Sequence, residues 1–354
     1  MESFVYTANP GRVIFGSGTI SRLGEEADRL GAKRLLVLST PEQESQAQDI
    51  SAHLGARVVG IFSNATMHTP TNVTADAMKL VDALQADAVV AIGGGSTTGL
   101  GKAIAYRTDL PQIVVPTTYA GSEATPILGE TEGGRKVTKS DSRILPEVIV
   151  YDVDLTLSLP VLMSATSGIN AIAHAVEALY AREANPIISM MALEGIAAIA
   201  RALPQIKENP GDTAARSDAL YGAWLCGICL GSVGMALHHK LCHTLGGMFN
   251  LPHAAMHTTV LPHAVAYNAS AAPAAMAALG RALGVADPAR GLFDLSKRLG
   301  ATMSLKDLGM PDGSVGAAVE QAMSNAYWNP RTPESEGLTE LLGRAFRGDA
   351  PEKI

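Results

Sequence analysis

At 354 residues, with 47% hydrophobic and 17% charged side chains, the chain is long enough for two ordinary domains and too apolar to remain disordered. A formal net charge of -7, with no run of five like charges, excludes a phosphate-tracking surface, so nucleic acid is not expected as a partner. The most apolar stretches, Ala192 to Ala200 and Met256 to Ala266, are flanked or broken by Glu, His or Pro short of the ~18 residues of a membrane span, so no membrane segment is expected.

The opening stretch MESFVYTANPGRVIF lacks a basic run followed by an apolar core and a small-residue cleavage site, and does not read as a signal peptide. Residues 1–160 then alternate short β-rich runs with helical stretches, the pattern of a parallel sheet with crossover helices. Strands are predicted at Arg34–Leu38, Arg57–Phe62, Ala88–Ile92, Gln112–Val115 and Val148–Tyr151, and their near-continuous apolar character suits strands covered on both faces. Helices are predicted at Ser17–Leu30, Gln43–His53, Asn72–Leu84 and Thr97–Arg107.

Two loops in this half carry chemistry. Gly93-Gly94-Gly95-Ser96 follows an apolar strand and opens a helix, where glycine lets the backbone approach a pyrophosphate and the helix start supplies unpaired N–H groups. The plain alternative is a tight strand-to-helix turn. Val115-Pro116-Thr117-Thr118-Tyr119-Ala120-Gly121-Ser122-Glu123 follows the next strand, and its hydroxyls suit phosphate, ribose or nicotinamide; a capping loop is the plain alternative. Gly94, Gly95, Ser96, Thr117, Thr118 and Ser122 are therefore candidate cofactor contacts. Ser39 and Thr40 stand where an acidic residue would grip a ribose 2′-hydroxyl and repel a 2′-phosphate, so both NADH and NADPH stay open.

Residues 161–354 lose the strand signal and read as an all-helical domain. Helices are predicted at Ser164–Ala181, Ile187–Leu203, Thr213–Met235, His238–Phe249, His253–Asn268, Pro273–Gly280, Ala289–Leu299, Ser314–Met323 and Glu336–Phe346. A small ligand is expected in a cleft between the two domains. Cys226, Cys229 and Cys242 cannot all pair; the C-x-x-C lacks a second pair for zinc, and buried reduced thiols on a helix suit a cytoplasmic location. Seven of the nine histidines lie between His174 and His263. His239 and His243 stand four apart and share a helix face, and His253 follows a turn at Asn250-Leu251-Pro252 that folds it back toward them. Such a cluster points to metal binding or proton transfer, whereas His257 and His263 each read as core residues.

The Gly-Gly-Gly-Ser turn, the P-T-T-x-x-G-S-E loop and His239-x3-His243-x9-His253 ending N-L-P-H together resemble the iron-containing alcohol dehydrogenases over nearly the whole chain. The resemblance implies a Rossmann-like dinucleotide-binding α/β domain followed by a helical domain, the two-domain plan shared with dehydroquinate synthase, usually in homodimers. It places the metal ligands of metal-dependent members at Asn170, His174, His239 and His253, with His243 as a further cleft histidine. Here Asn170 replaces the metal carboxylate, so metal affinity should fall and a vestigial site is expected. Gly99 stands where many members carry an Asp. These departures, with Met67-His68-Thr69-Pro70, the Pro126–Lys136 stretch and Tyr327-Trp328-Asn329-Pro330-Arg331, are similar to the maleylacetate reductases. That likeness implies reduction of the carbon–carbon double bond of maleylacetate to 3-oxoadipate, in aromatic-compound degradation, with NADH or NADPH and without need of a metal.

On that reading hydride addition generates an enolate, and His243, His253 or Tyr327 donates the proton or holds the enolate oxygen. His174, His239 and His253 become groups that hydrogen-bond a substrate carboxylate beside Asn170, and Arg143, Lys240 and Arg331 are candidate cations for a dianion. The rivals are a metal-dependent alcohol dehydrogenase held by three histidines, a lyase of the dehydroquinate synthase type that binds NAD without net turnover, and a non-catalytic interaction protein.

Overall fold

The computed structural model describes residues 3–9, 11–133, 135–325 and 327–353, with the backbone alone at 135 and 136. The chain divides into two compact units: Ala8–Leu159, and the segment from Pro160 onward with the N-terminal residues up to Thr7.

The first unit is built on a six-stranded sheet: β1 (Arg12–Gly16), β2 (Leu35–Leu38), β3 (Val58–Phe62), β4 (Ala88–Gly93), β5 (Gln112–Pro116) and, after a separate hairpin of β6 (Ile127–Glu132) and β7 (Arg135–Ser140), β8 (Val148–Asp152). Its order is β1-β8-β5-β4-β2-β3 and every pairing is parallel. Successive side chains on a strand point to opposite faces, and that alternation builds two cores. Leu35, Val37, Val90, Ile92, Ile113 and Val115 face Leu23 and Ala27 of α1 (Leu23–Arg29) and Ala47 and Ile50 of α2 (Glu44–Ser51). Leu36, Leu38, Val89, Ala91 and Val114 face Ala77 and Val81 of α3 (Thr71–Leu84) and Leu100 and Ile104 of α4 (Gly95–Thr108). A strand buried on both faces has no room for polar positions, which is why these runs are continuously apolar. From β2 the chain winds outward to β3, and from β4 it winds the other way to β5. The carboxyl ends of β2 and β4 therefore flank a topological switch point, where ligands of such sheets bind.

The predicted strands fall where the sheet has them, but β1 and the β6–β7 hairpin were not predicted. β1 is short and hemmed by Gly11 and Gly16, while the hairpin reads Ile-Leu-Gly-Glu-Thr-Glu and Arg-Lys-Val-Thr-Lys-Ser, too polar for an apolar-run criterion. The Pro126–Lys136 stretch falls on this hairpin, and its Gly134 lies outside the described residues. The predicted helix Ser17–Leu30 begins as a 3₁₀ turn at Thr19–Arg22 before α1.

The second unit is helical among its described residues: α5 (Val161–Ala178), α6 (Pro186–Glu208), α7 (Thr213–Ser232), α8 (Leu237–Phe249), α9 (His253–Asn268), α10 (Pro273–Leu283), α11 (Pro288–Arg298), α12 (Val315–Met323) and α13 (Ser335–Arg347). α5 is buried at every position from Ser164 to Ala178 and packs against α6, α7 and α9, so it is the central helix. α6 runs through Glu194 and Arg201 and is long and apolar enough to cross a membrane, which the sequence reading did not expect. Its row Ile188, Ala192, Ile196, Ile199 and Leu203 is buried inside the unit, against α5 and α7. α8 stops at Asn250, in the left-handed conformation at φ 51°, and Pro252 precedes His253 at the start of α9, as the Asn-Leu-Pro turn predicts.

Candidate active site

In the first unit the nucleotide-loop candidates converge at the carboxyl ends of β2, β4 and β5. Gly93 has φ 142°, and a Cβ there would meet the Gln43 and Thr97 side chains at 2.5 and 2.7 Å; at Gly94 it would meet Thr118 Cγ2 at 2.9 Å. Glycine is thus required where two loops close on each other. Thr117 N–H donates to the Gly93 carbonyl at 3.0 Å and Gln43 Nε2 donates to Thr117 Oγ1 at 2.9 Å, so the two loops are joined. Gly95 opens α4 into free space, with Ser96 in its first turn, and Gly94 caps the helix without a side chain. The first-turn N–H groups of α4 therefore remain available to an anion. Ser39 is buried directly after β2, and its Oγ has no hydrogen-bond partner among the described residues.

Sequence reasoning missed what supports the second loop. Lys102, on the inner face of α4, donates from Nζ to the carbonyls of Ser122 at 2.5 Å, Thr125 at 2.7 Å and Ile127 at 3.0 Å, and to Thr125 Oγ1 at 2.9 Å. Burial pushes Lys102 down to about 7, while the charge of Glu123 pulls it back up. Burial raises Glu123 above the usual carboxylate range, and Tyr151 donates to it at 2.8 Å. The available signal was a lysine amid the Gly and Ala of α4, a charge with no solvent face.

Gly99 faces the Met67–Pro70 segment: a Cβ there would lie 2.3 Å from Thr69 Oγ1. His68 and Thr69 both hold positive φ, at 67° and 46°, and Thr131 pins them by donating its N–H to the Thr69 carbonyl and its Oγ1 to that of His68. A β-branched residue in the left-handed region is strained, and such strain concentrates at functional sites. Arg143 is exposed and bonded to Asp141 by Nε at 3.0 Å and Nη2 at 2.7 Å, which spends its charge locally.

In the second unit the histidines are organised by Glu177, a residue sequence reasoning also missed, although an acid in the apolar run H-A-V-E is conspicuous. Fully buried on α5, Glu177 accepts from the N–H groups of Ala236 at 2.8 Å, His238 at 2.7 Å and His239 at 3.4 Å. It supplies the cap that Ala236 lacks and sets an anion at the positive end of α8. Glu177 Oε2 also lies 2.7 Å from His239 Nδ1, and His239 Nε2 lies 2.8 Å from His174 Nδ1. With the Nδ1 proton of His239 committed to the carboxylate, its Nε2 accepts from His174, so Glu177, His239 and His174 form a three-residue chain.

Around this chain stand the other candidates. His243 is exposed, its ring centroid 6.2 Å from that of His239; the half-buried His253 packs on His257 at 4.2 Å, and His257 is 5.3 Å from His239. The carbonyl oxygen of the Asn170 side chain is buried without a partner among the described residues. Lys240 Nζ lies 5.3 Å from the centroid of the Tyr327 ring, whose buried hydroxyl has no described partner and is raised above the usual tyrosine range by burial, with Tyr267 and Glu177 adding to the rise. Arg331 bonds the Tyr267 carbonyl at 3.2 Å and lies over the Tyr267 ring, so it braces the end of α9.

Two nucleotide-type loops in a parallel sheet, followed by a helical unit with these histidines, find their counterpart in known proteins. Residues 10–153 match the family described as "Iron-containing alcohol dehydrogenase", and residues 164–346 match "Fe-containing alcohol dehydrogenase family, C-terminal". The chain belongs to the iron-containing alcohol dehydrogenase family. Within it, the chain is 55% identical to a maleylacetate reductase of Rhizobium sp., over 99% of this chain and 100% of that one, and 56% identical to that of Sphingobium indicum, over 98% and 99%. The crystal structure of maleylacetate reductase from Agrobacterium tumefaciens superposes with a TM-score of 0.95 at 54% identity, covering 99% of this chain and 100% of that one.

Proposed function

We propose that the chain uses NADH or NADPH to reduce the carbon–carbon double bond of maleylacetate, giving 3-oxoadipate in the breakdown of aromatic compounds. The observation that carries this reading is identity above half with maleylacetate reductases over the full length of both partners, joined to a site rich in proton donors. NADH or NADPH, held at the loops of Gly94–Ser96 and Thr117–Ser122, would supply a hydride to the alkene carbon β to the ketone, and the electron pair displaced from the double bond would come to rest on the ketone oxygen as an enolate. An enolate is stabilised by hydrogen bonding and protonation alone. Tyr327, kept neutral by burial, donates to that oxygen, and His253 delivers the proton to carbon, with the exposed His243 relaying from solvent. Lys240, beside the Tyr327 ring, supplies a fixed cation for a carboxylate of the substrate.

The same geometry supports catalysis without a divalent ion. Asn170 brings a neutral amide where an anionic oxygen would favour such an ion, and the Nε2 lone pair of His239 is spent on His174. One observation favours the metal-dependent reading: the unpartnered oxygen of Asn170, an acceptor that a cation would satisfy. The homodimeric state and cytoplasmic location rest on the family resemblance. NADH oxidation with freshly generated maleylacetate, before and after exhaustive chelation, tests the proposal. Equal turnover supports the metal-free reaction, loss on chelation supports the metal-dependent one, and no turnover with maleylacetate in either state overturns the substrate.

A further inference from the structure

Behind His239 lies a second layer of ligand-bearing side chains that the proposed reaction does not use. His238 and Cys242 are four apart on α8 and share one face of that helix, and His257 reaches them from α9; all three are buried. His238 Nε2 lies 3.1 Å from His257 Nδ1 and 3.8 Å from Cys242 Sγ, and the three ligand atoms all fall within 4.8 Å of one another. The outer ring nitrogens, His238 Nδ1 and His257 Nε2, are buried without a hydrogen-bond partner among the described residues. We propose that His238, Cys242 and His257 form a binding site for a closed-shell, thiophilic cation of the Zn²⁺ type, distinct from the family's Asn170, His174, His239 and His253 position.

Three features carry it. The donor set is one thiolate and two imidazoles, soft enough to select zinc-like ions and carrying the anionic charge that Asn170 withholds from the family position. The spacing also fits: tetrahedral Zn²⁺ with Zn–N near ~2.0 Å and Zn–S near ~2.3 Å has N···N edges of roughly 3.3 Å and N···S edges of roughly 3.6 Å. Two of the observed separations, 3.1 and 3.8 Å, lie close to these edges, and the third, between Cys242 and His257, falls within 4.8 Å. Finally, among the described residues no third group bonds the outer nitrogen of either ring, so neither tautomer is locked. On binding, the thiol proton leaves to solvent, and the proton shared between the two imidazoles moves to the outer nitrogen of the ring that held it. A water completes four-coordination, and the half-buried His253 packs beside the site, its ring tilted 48° against that of His257 at 4.2 Å.

Because His257 packs against His253 at 4.2 Å and His239 at 5.3 Å, an ion that draws in its ring disturbs the proton donor of the proposed reaction and the histidine that Glu177 orients. The test uses the full-length, chelator-treated protein titrated with Co²⁺, whose thiolate complexes show a near-ultraviolet charge-transfer band that histidine-only sites cannot give. One equivalent per chain should produce the band, and Zn²⁺ should bleach it. The band should vanish in Cys242→Ala, persist in a Cys226→Ser/Cys229→Ser variant, and persist in His174→Ala, where the family position is broken. In the same titration turnover should fall severalfold in the native chain and hold steady in Cys242→Ala, with circular dichroism confirming that each variant is folded. Absence of a sulfur band, a band surviving in Cys242→Ala, or equal inhibition of both proteins overturns the site.

Discussion

His239 is held between an anion and a second imidazole: Glu177 takes its Nδ1 at 2.7 Å while His174 meets its Nε2 at 2.8 Å. The orientation of two candidate active-site rings thus depends on a carboxylate that also caps α8, and local stability and chemistry are coupled through one residue.

Glu177→Gln tests that coupling. The amide keeps the volume but turns an N–H₂ toward groups that are themselves donors, so capping and ring orientation are lost together. Stability should fall by about 1.5–3 kcal/mol, the worth of hydrogen bonds to a charged group, and kcat should fall roughly 10- to 100-fold, as for other residues that orient an active-site histidine. A Tm drop with kcat within about twofold would leave Glu177 a cap and nothing more.

Lys240 and Arg143 make a paired prediction about where a dianionic substrate is gripped. Arg143 is already neutralised by Asp141, whereas Lys240 meets only the face of Tyr327 among its described contacts. Lys240→Met should raise KM for maleylacetate about tenfold, or ~1.4 kcal/mol, with a smaller effect on kcat. Arg143→Ala should leave kcat/KM within about twofold. Steady-state kinetics on the two variants decide it, and the opposite ranking moves the anion site to the sheet unit.

Much of this fold was legible from pattern. Leu35-Leu36-Val37-Leu38 and Ala88 to Ile92 have no polar position because both faces are buried, and α9 was bounded to the residue by a proline turn before His253. What escaped has a physical cause. β7, Arg-Lys-Val-Thr-Lys-Ser, belongs to a two-stranded hairpin and never needs an apolar run. Glu177 and Lys102 do their work through backbone partners far away in sequence, Ala236 and His238 for one and Thr125 and Ile127 for the other. The histidine set was visible as a cluster, but the hydrogen bond that joins His174 to His239 depends on how α5 and α8 pack, which spacing along one chain does not encode.

The fit of Gly99 against Thr69 can be tested by a double-mutant cycle. Gly99→Ala places a Cβ 2.3 Å from Thr69 Oγ1, so either the hydroxyl rotates or the strained turn moves. The single variant should cost about 1–3 kcal/mol as an overpacked site. Thr69→Gly removes the obstructing side chain and relieves the positive φ of 46°, so the double variant should recover at least half of that loss. Strictly additive effects in denaturant unfolding would mean that the two positions do not meet.

Lys102 gives a prediction in pH. Its folded-state value, pushed down by burial to about 7, lies below the 10.5 of an ordinary lysine. Between those two values the unfolded chain holds a proton that the folded chain has released, so unfolding takes up a proton and stability rises with pH, by at most ~1.4 kcal/mol per pH unit from this group. Below pH 7 both states are protonated and the contribution is flat. Lys102→Met removes the titration and leaves the carbonyls of Ser122, Thr125 and Ile127 without their donor, at about 1–3 kcal/mol for an unsatisfied buried group. The stability of the native chain relative to Lys102→Met should therefore rise from pH 7 toward pH 10 in paired denaturant titrations. The variant should also bind NADH more weakly, because the loop bearing Thr117, Thr118 and Ser122 loses its anchor. A margin constant across that range would show that the three carbonyls keep Lys102 charged, since acceptors aimed at an ammonium oppose the loss of its proton; burial would then be the weaker influence on this side chain.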